Sequence, residues 1–131
     1  MSMQKDIAAV INRYRRHPQF LGIEITGVNQ LGAMNDTMLH FAAELGDTED
    51  IDVLVASGAV VNAVGDIGNT PLHSAALMGK VAATKRLLEL GADPTLKNEF
   101  GQSAMDVADI GERDKLVEIL RTFKACPHRT P

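Results

Sequence analysis

The sequence predicts an all-α solenoid of about three helix-turn-helix units, each with a β-hairpin-like finger, preceded by an N-terminal capping helix. The first observation is an internal repeat, since the chain matches itself when it is shifted by 33 residues. Several residue types hold that spacing without a slip, which is typical of repeat architectures. The matched positions are Thr37 with Thr70 and Ser103, Leu39 with Leu72 and Met105, Ala42 with Ala75 and Ala108, Leu54 with Leu87 and Leu120, Gly58 with Gly91, and Asn29 with Asn62. The second observation is that helix start and stop signals recur at the same spacing.

The first helix of the unit is clearest in GNTPLHSAALMGK, residues 68 to 80. Thr70 suits the N-cap because its hydroxyl can accept a bond from a free helix amide, and Pro71 suits the first helical position. Gly79 ends the helix, since glycine tolerates the left-handed conformation that follows a helix C-terminus. Small apolar residues form a narrow stripe between these signals, which allows close packing on neighbouring units. They are Leu72, Ala75 and Ala76.

A second helix and a finger complete the unit. The segment VAATKRLLEL has apolar residues at helical spacing, and Gly91 ends it. The following ADPTLKNEFG is rich in turn formers and too short for another helix, so we expect an extended, hairpin-like connection. In the first unit Asn35 stands where Gly68 stands in the second, and asparagine also tolerates a positive φ angle. Met38 likewise stands where Pro71 stands, so the first unit is expected to depart slightly from the turn rules of the second.

The N-terminal segment predicts a capping helix. Ile7, Val10, Ile11 and Tyr14 lie at i, i+3, i+4 and i+7, which makes one apolar stripe on an amphipathic helix. Pro18 is expected to stop this helix. Half a repeat of this kind can cover the open end of a solenoid.

Composition limits the class of protein. The chain has 131 residues, of which 45% are apolar and 23% charged, so we expect one folded domain. The sequence shows neither a run long enough to span a membrane nor an N-terminal signal, which favours a cytoplasmic protein without membrane contact. Cys126 is the only cysteine and is interpreted as incidental. The sequence offers no metal-ligand cluster and no glycine-rich phosphate loop, so no cofactor is expected.

GNTPLHSAA, LLELGADPT and the 33-residue period resemble ankyrin repeats over residues 28 to 121. The resemblance implies that threonine and histidine of the motif bond to one another and to the backbone, as Thr37 with His40 and Thr70 with His73. The third unit departs from the pattern, because SAMD replaces TPLH and Glu112 replaces glycine. Terminal repeats have one face without a neighbour, so a more polar sequence is expected there.

These features predict one domain with five segments. They are an N-terminal capping helix and connection (1–27), a first finger and repeat (28–67), a second repeat (68–100), a C-terminal capping repeat (101–124) and a tail (125–131). Leu116, Ile119 and Leu120 are expected to face inward in the capping repeat. Glu112, Arg113, Asp114, Lys115 and Glu118 are expected to face water.

The family resemblance implies a non-enzymatic binding scaffold with a concave face made by the fingertips and the first helix of each unit. His40 and His73 recur at one repeat, so we interpret them as structural and not catalytic. Three columns of this face vary and are interpreted as partner-binding: an apolar fingertip column, a polar junction column and the last turn of the first helix. The predicted partner-binding residues are Met34, Asp36, Glu44, Asp66, Ile67, Asn69, Leu77, Met78, Glu99, Phe100 and Gln102. The fingertip column could instead pack on the adjacent finger, and Met78 could fill a core gap.

Charge predicts the kind of partner. Residues 36 to 68 contain seven acids and neither lysine nor arginine, in a chain with a net charge of −4. The acids are Asp36, Glu44, Asp47, Glu49, Asp50, Asp52 and Asp66. Those from Asp47 to Asp52 open a helix, where acids favour the positive end of the dipole. The other three face the predicted concave side and suit a basic protein, whereas nucleic acid would need a basic face.

The sequence leaves the biological role open between two classes. Small size and lack of an attached domain resemble stand-alone bacterial ankyrin proteins, some of which look like immunity proteins that neutralise a toxin. The alternative is a regulatory or scaffolding adaptor for a cellular protein, without inhibition. In both cases the protein is expected to act as a monomer.

Overall fold

The computed structural model describes residues 7–111 and 113–124, excluding the side chains of residues 123 and 124. This part contains seven α-helices, two short 3-10 turns and no strand. The helices are α1 (Ile7–Tyr14), α2 (Met38–Leu45), α3 (Thr48–Ala56), α4 (Pro71–Leu77), α5 (Val81–Glu89), α6 (Ala104–Ile110) and α7 (Asp114–Lys124), and the turns are Pro18–Phe20 and Asp66–Gly68. The prediction of an all-α solenoid is confirmed.

The helices form two rows. The inner row consists of α2, α4 and α6, and the outer row consists of α1, α3, α5 and α7. The 33-residue repeat places equivalent leucines between the rows, and Leu54, Leu87 and Leu120 are all fully buried. Burying each such side chain stabilises the fold by about 2 kcal/mol, so the repeat spacing is set by the core.

Each inner helix begins with the same reciprocal cap. The threonine oxygen accepts a bond from the amide three residues later, and that residue's side chain accepts from the threonine amide, at Thr37 with His40 and at Thr70 with His73. The bonding implied by the family resemblance is therefore present. Ser103 and Asp106 make the same capping box at the start of α6, so the changed SAMD sequence keeps the cap with an aspartate in the histidine's role.

The fingers are turns held to one another by isolated hydrogen bonds. The amide of Glu99 donates to the carbonyl of Ile67 at 2.9 Å, which joins the second and third fingers. The side chains of Asn29 and Asn62 make equivalent contacts, because each accepts at 2.9 Å a backbone amide 31 residues later, from Val60 and Asp93 respectively. The predicted hairpin-like connection is thus made without a β-ladder in the described residues.

Helix α1 ends at Tyr14, before the predicted stop at Pro18, and its last turn is clasped to α3. Asp50 is fully buried, accepts a hydrogen bond from the Tyr14 hydroxyl at 3.1 Å and pairs with the Arg13 guanidinium. Burial and the Asp50 carboxylate both raise the pKa of Tyr14, so its hydroxyl stays a donor. The clasp fixes the N-terminal helix on the outer row.

The last repeat presents a polar end. Asp106 and Asp109 are exposed, whereas His73 and Ala76, which hold the same positions in the preceding repeat, are buried. Leu116 and Leu120 are buried and Ile119 is partly buried, as predicted. Arg113, Asp114, Lys115 and Glu118 are exposed. Glu112, Cys126 and the tail 125–131 lie outside the described residues.

Candidate functional site

A groove lies on the concave face between the second and third repeats, with a volume of about 200 Å³. Its apolar lining is Ile67, Leu77, Phe100, Val107 and Ile110. Its polar and small lining is Asn69, His73, Asn98, Gln102 and Gly111. We call this the concave groove. It brings together five of the predicted partner-binding residues: Ile67, Asn69, Leu77, Phe100 and Gln102.

The apolar columns are exposed, as the sequence predicted. In the fingertip column Met34, Ile67 and Phe100 are 53%, 38% and 68% exposed, and on the inner helices Leu77 and Met78 are 57% and 46% exposed. A core-filling role for Met78 is therefore wrong. Met34 and Met78 do not line the concave groove, so the structure separates them from the other three.

Residues of the polar junction column make hydrogen bonds that connect neighbouring fingers. Asp36 accepts the backbone amide of Asp66 at 2.9 Å, which ties the first finger to the second. The Asn98 amide nitrogen donates to Asn69 at 3.0 Å and to Gln102 at 3.1 Å, which ties the second to the third. Asn69, Asn98 and Gln102 thus stiffen the rim of the concave groove, and Asn69 and Gln102 remain partly exposed there.

The acids divide into two groups. On the outer row Asp47 caps α3 and pairs with Arg13, which also reaches Asp50, while Asp52 pairs with Arg86 at 2.5 Å. On the concave side the partly exposed acids are Asp36, Glu44 and Asp66, with Glu99 exposed on the third finger. Among the described residues the arginine bridges lie on the outer row, so the concave edge keeps its negative charge.

Sequence reasoning missed Val107 and Ile110. Ile110 is 68% exposed and lies one repeat after Leu77, in a column that begins with Glu44. Val107 lies one repeat after Ser74 in the next column. The 33-residue shift contained this signal, because it extends each concave column into the third repeat.

Both ring nitrogens of the two motif histidines make hydrogen bonds within the fold. At both, Nδ1 accepts a threonine amide at 3.1 Å, and Nε2 donates to a carbonyl of the next repeat: His40 to Asn69 at 2.9 Å and His73 to Gln102 at 2.8 Å. Burial lowers the pKa of both rings. At each histidine, Nδ1 therefore completes the helix cap of its own repeat and Nε2 joins that repeat to the next one.

One residue of the groove has an unfavourable backbone. Ile67 has φ of 51°, a region that β-branched residues rarely adopt. The next position in each finger is also left-handed, with φ of 68° at Asn35, 78° at Gly68 and 75° at Gly101. The predicted equivalence of Asn35 and Gly68 is confirmed. Ile67 adds a second left-handed residue, which points its side chain along the concave rim at a cost in stability.

The described residues hold no cluster of histidine, cysteine and carboxylate side chains able to bind a metal ion. Within the same residues no helix is long and apolar enough to cross a bilayer.

Comparison with known proteins agrees with the geometry. The family model for ankyrin repeats (3 copies) matches residues 7–98, which is 92 of the 131 residues. The match begins at α1, earlier than the resemblance read from the sequence, and ends before the third inner helix. No curated protein matches the chain. The repeat spacing, the reciprocal caps and this match establish that the chain belongs to the ankyrin repeat family, a family of protein–protein interaction modules.

Proposed function

We propose that the chain binds a protein partner through the concave groove and the fingertips beside it. The observation that carries the proposal is the convergence of exposed apolar side chains from two repeats on one groove. Contiguous exposed apolar residues with a polar rim are typical of protein interaction sites. No catalytic step is part of the proposal.

The size of the concave groove supports a protein ligand over a metabolite. Small-molecule sites usually enclose roughly 300 to 1,000 Å³, whereas this groove holds about 200 Å³. Such a volume suits one anchoring side chain, with the rest of the contact spread over the fingertips.

The charge of the concave edge supports a basic partner. Asp36, Glu44 and Asp66 lie on the side of the first repeat, and Glu99 lies on the third finger. Opposite charge would speed association and select the partner, with a dependence on salt. The proposal retains the monomeric state and cytoplasmic location predicted from the sequence.

Neutralisation of a basic bacterial toxin is the specific form of this proposal, supported by the acidic concave edge. A regulatory or scaffolding adaptor would use the same groove without inhibiting its partner. Co-expression with the captured partner distinguishes them. An inhibitor restores the growth of cells that the partner kills, and an adaptor leaves growth or partner activity unchanged.

Affinity capture from the native host tests the binding proposal. The bait is the full chain, compared with the double variant Leu77→Ser/Ile110→Ser, whose two positions are exposed. Val60→Ser is the matched control, because Val60 is also an exposed apolar residue, 53% exposed, but does not line the groove. Mass spectrometry should identify a protein retained by wild type and Val60→Ser and lost from the double variant. Equal retention of the partner by all three baits would refute the concave groove as its binding site.

A further inference from the structure

The chain covers part of its own concave face. The Pro18–Phe20 turn lies at the N-terminal end of the inner row, where Phe20 is fully buried with its ring 5.8 Å from that of Phe41 on α2. The His17 ring lies 4.1 Å from Phe41 on the same face. An aromatic side chain carried by a turn therefore already occupies the first repeat.

The turn also makes hydrogen bonds to the first finger, as a bound ligand would. The Gln19 carbonyl accepts the Ala33 amide at 2.7 Å, and its side-chain oxygen accepts the Met34 amide at 3.1 Å. One repeat later the amide equivalent to Ala33 is that of Asp66, which is bonded by the preceding finger. The turn thus takes the place of a missing finger as well as filling the helix face.

The third repeat lacks such a cover. The positions equivalent to Phe41 are Ser74, which is buried, and Val107, which is partly exposed. Val107 lines the concave groove together with Ile110. The face that is closed by an aromatic pair in the first repeat is therefore partly open at Val107 in the third repeat.

Charge changes along the same face. The column Glu44, Leu77, Ile110 runs from acidic to apolar, and the column Asp36, Asn69, Gln102 runs from acidic to neutral. An occupant that matches both columns has its apolar group toward the C-terminal repeats and its cationic groups toward the first repeat. This order gives the occupant a direction.

We propose that the partner presents a turn carrying one aromatic or large aliphatic anchor, with lysine or arginine on the side that faces the first repeat. The anchor enters the concave groove as Phe20 covers Phe41, and the cations meet Asp36, Glu44 and Asp66. This inference rests on the proposed function and names the partner's recognition chemistry.

Selection from a phage-displayed library of disulfide-constrained random peptides, with the full chain as target, tests the inference. The enriched peptides are then measured on four proteins: wild type, Leu77→Ser/Ile110→Ser, Glu44→Gln/Asp66→Asn and the control Val60→Ser. Circular dichroism melting of each variant confirms an unchanged fold, as expected for exposed or partly exposed positions.

The expected peptides carry an apolar anchor and enriched arginine or lysine on one side of it. Their affinity should fall roughly tenfold or more on the groove variant, and by about two- to fivefold on the acid variant. Val60→Ser should bind as wild type does.

Two results would overturn the inference. Groove-dependent peptides without cation enrichment, or insensitive to the acid variant, would refute the recognition chemistry while leaving concave-face binding intact. No enriched peptide, or peptides that bind the groove variant as well as wild type, would refute both the inference and the proposed function.

Discussion

The two buried histidines make the stability of the array depend on pH. His40 and His73 each accept a threonine amide on Nδ1 and donate from Nε2 to a carbonyl of the next repeat. Protonation would place a second N–H on Nδ1, which would lose the bond from the threonine amide, although the threonine hydroxyl 2.9 Å away could accept it. Protonation of a buried ring also carries the cost of burying a charge, so the folded state favours the neutral rings.

The sign of the effect follows from the direction of the pKa shifts. Burial lowers the pKa of both histidines below the unfolded value, which is about 6.5. Below that pH the unfolded state binds more protons, so stability is fully present above it and is lost as pH falls toward the folded pKa. A histidine that stays neutral in the folded state over the whole range from pH 7.5 to 5.5 would remove about 1.4 kcal/mol, so the two rings set an upper limit of about 2.7 kcal/mol.

Neighbouring charges do not reverse this direction. Asp36 and Glu44 raise the pKa of His40, and Asp106 raises that of His73, but burial is the largest effect at both rings. The pKa of Asp93 is lowered by its bonds to Thr95, so its contribution is lost only near and below about 3.8. A comparison of pH 7.5 with pH 5.5 therefore avoids the range in which Asp93 titrates, and the His73→Gln variant assigns the remaining change to the buried ring.

Equilibrium urea unfolding followed by far-UV circular dichroism measures the effect. His73→Gln is the test variant, because it removes one titrating ring and the bond to the Gln102 carbonyl. It should lose about 1.5 kcal/mol at pH 7.5 and retain about half of the wild-type pH dependence. Wild-type stability that is flat or higher at pH 5.5 would refute the reasoning, as would an unchanged pH dependence in the variant.

Three further changes are expected to alter the free energy of unfolding. Ile67→Asn should stabilise the fold by about 1 kcal/mol because asparagine tolerates the left-handed backbone, and a lower melting temperature would contradict the strain at this residue. Asp50→Ala should cost about 2 kcal/mol or more by removing the buried clasp, whereas Asp52→Ala at the exposed bridge should cost less than about 1 kcal/mol; equal losses in urea unfolding would count against the clasp. Leu87→Ala should cost about 3 kcal/mol in the same assay, and a loss below about 1 kcal/mol would show that the row contact is loose.

The fold was predictable because it depends on residues that repeat. Caps at Thr37 and Thr70, buried leucines at Leu54 and Leu87, and glycines at helix ends are required in every unit by the same local physics. Exposure of the concave columns followed from the same register. The division into five segments and the partner-binding roles of the columns stay predictions.

The parts that could not be predicted occur once in the chain. The Pro18–Phe20 turn has no repeat against which to compare it, and its contact with Phe41 links positions 21 residues apart. The clasp of Tyr14 and Arg13 on Asp50 was missed for the same reason, since helix-opening acids have a sufficient local explanation in the dipole. Isoleucine rarely adopts a positive φ, so the residue type at position 67 gave no indication of this conformation.

Amide hydrogen exchange with the captured partner tests the central claim most directly. We expect slowed exchange at 65–69, 73–77 and 98–111, the segments that line the concave groove, and unchanged exchange in α1, α3 and α5 of the outer row. Slowed exchange confined to the outer row, with the groove segments unchanged, would contradict it.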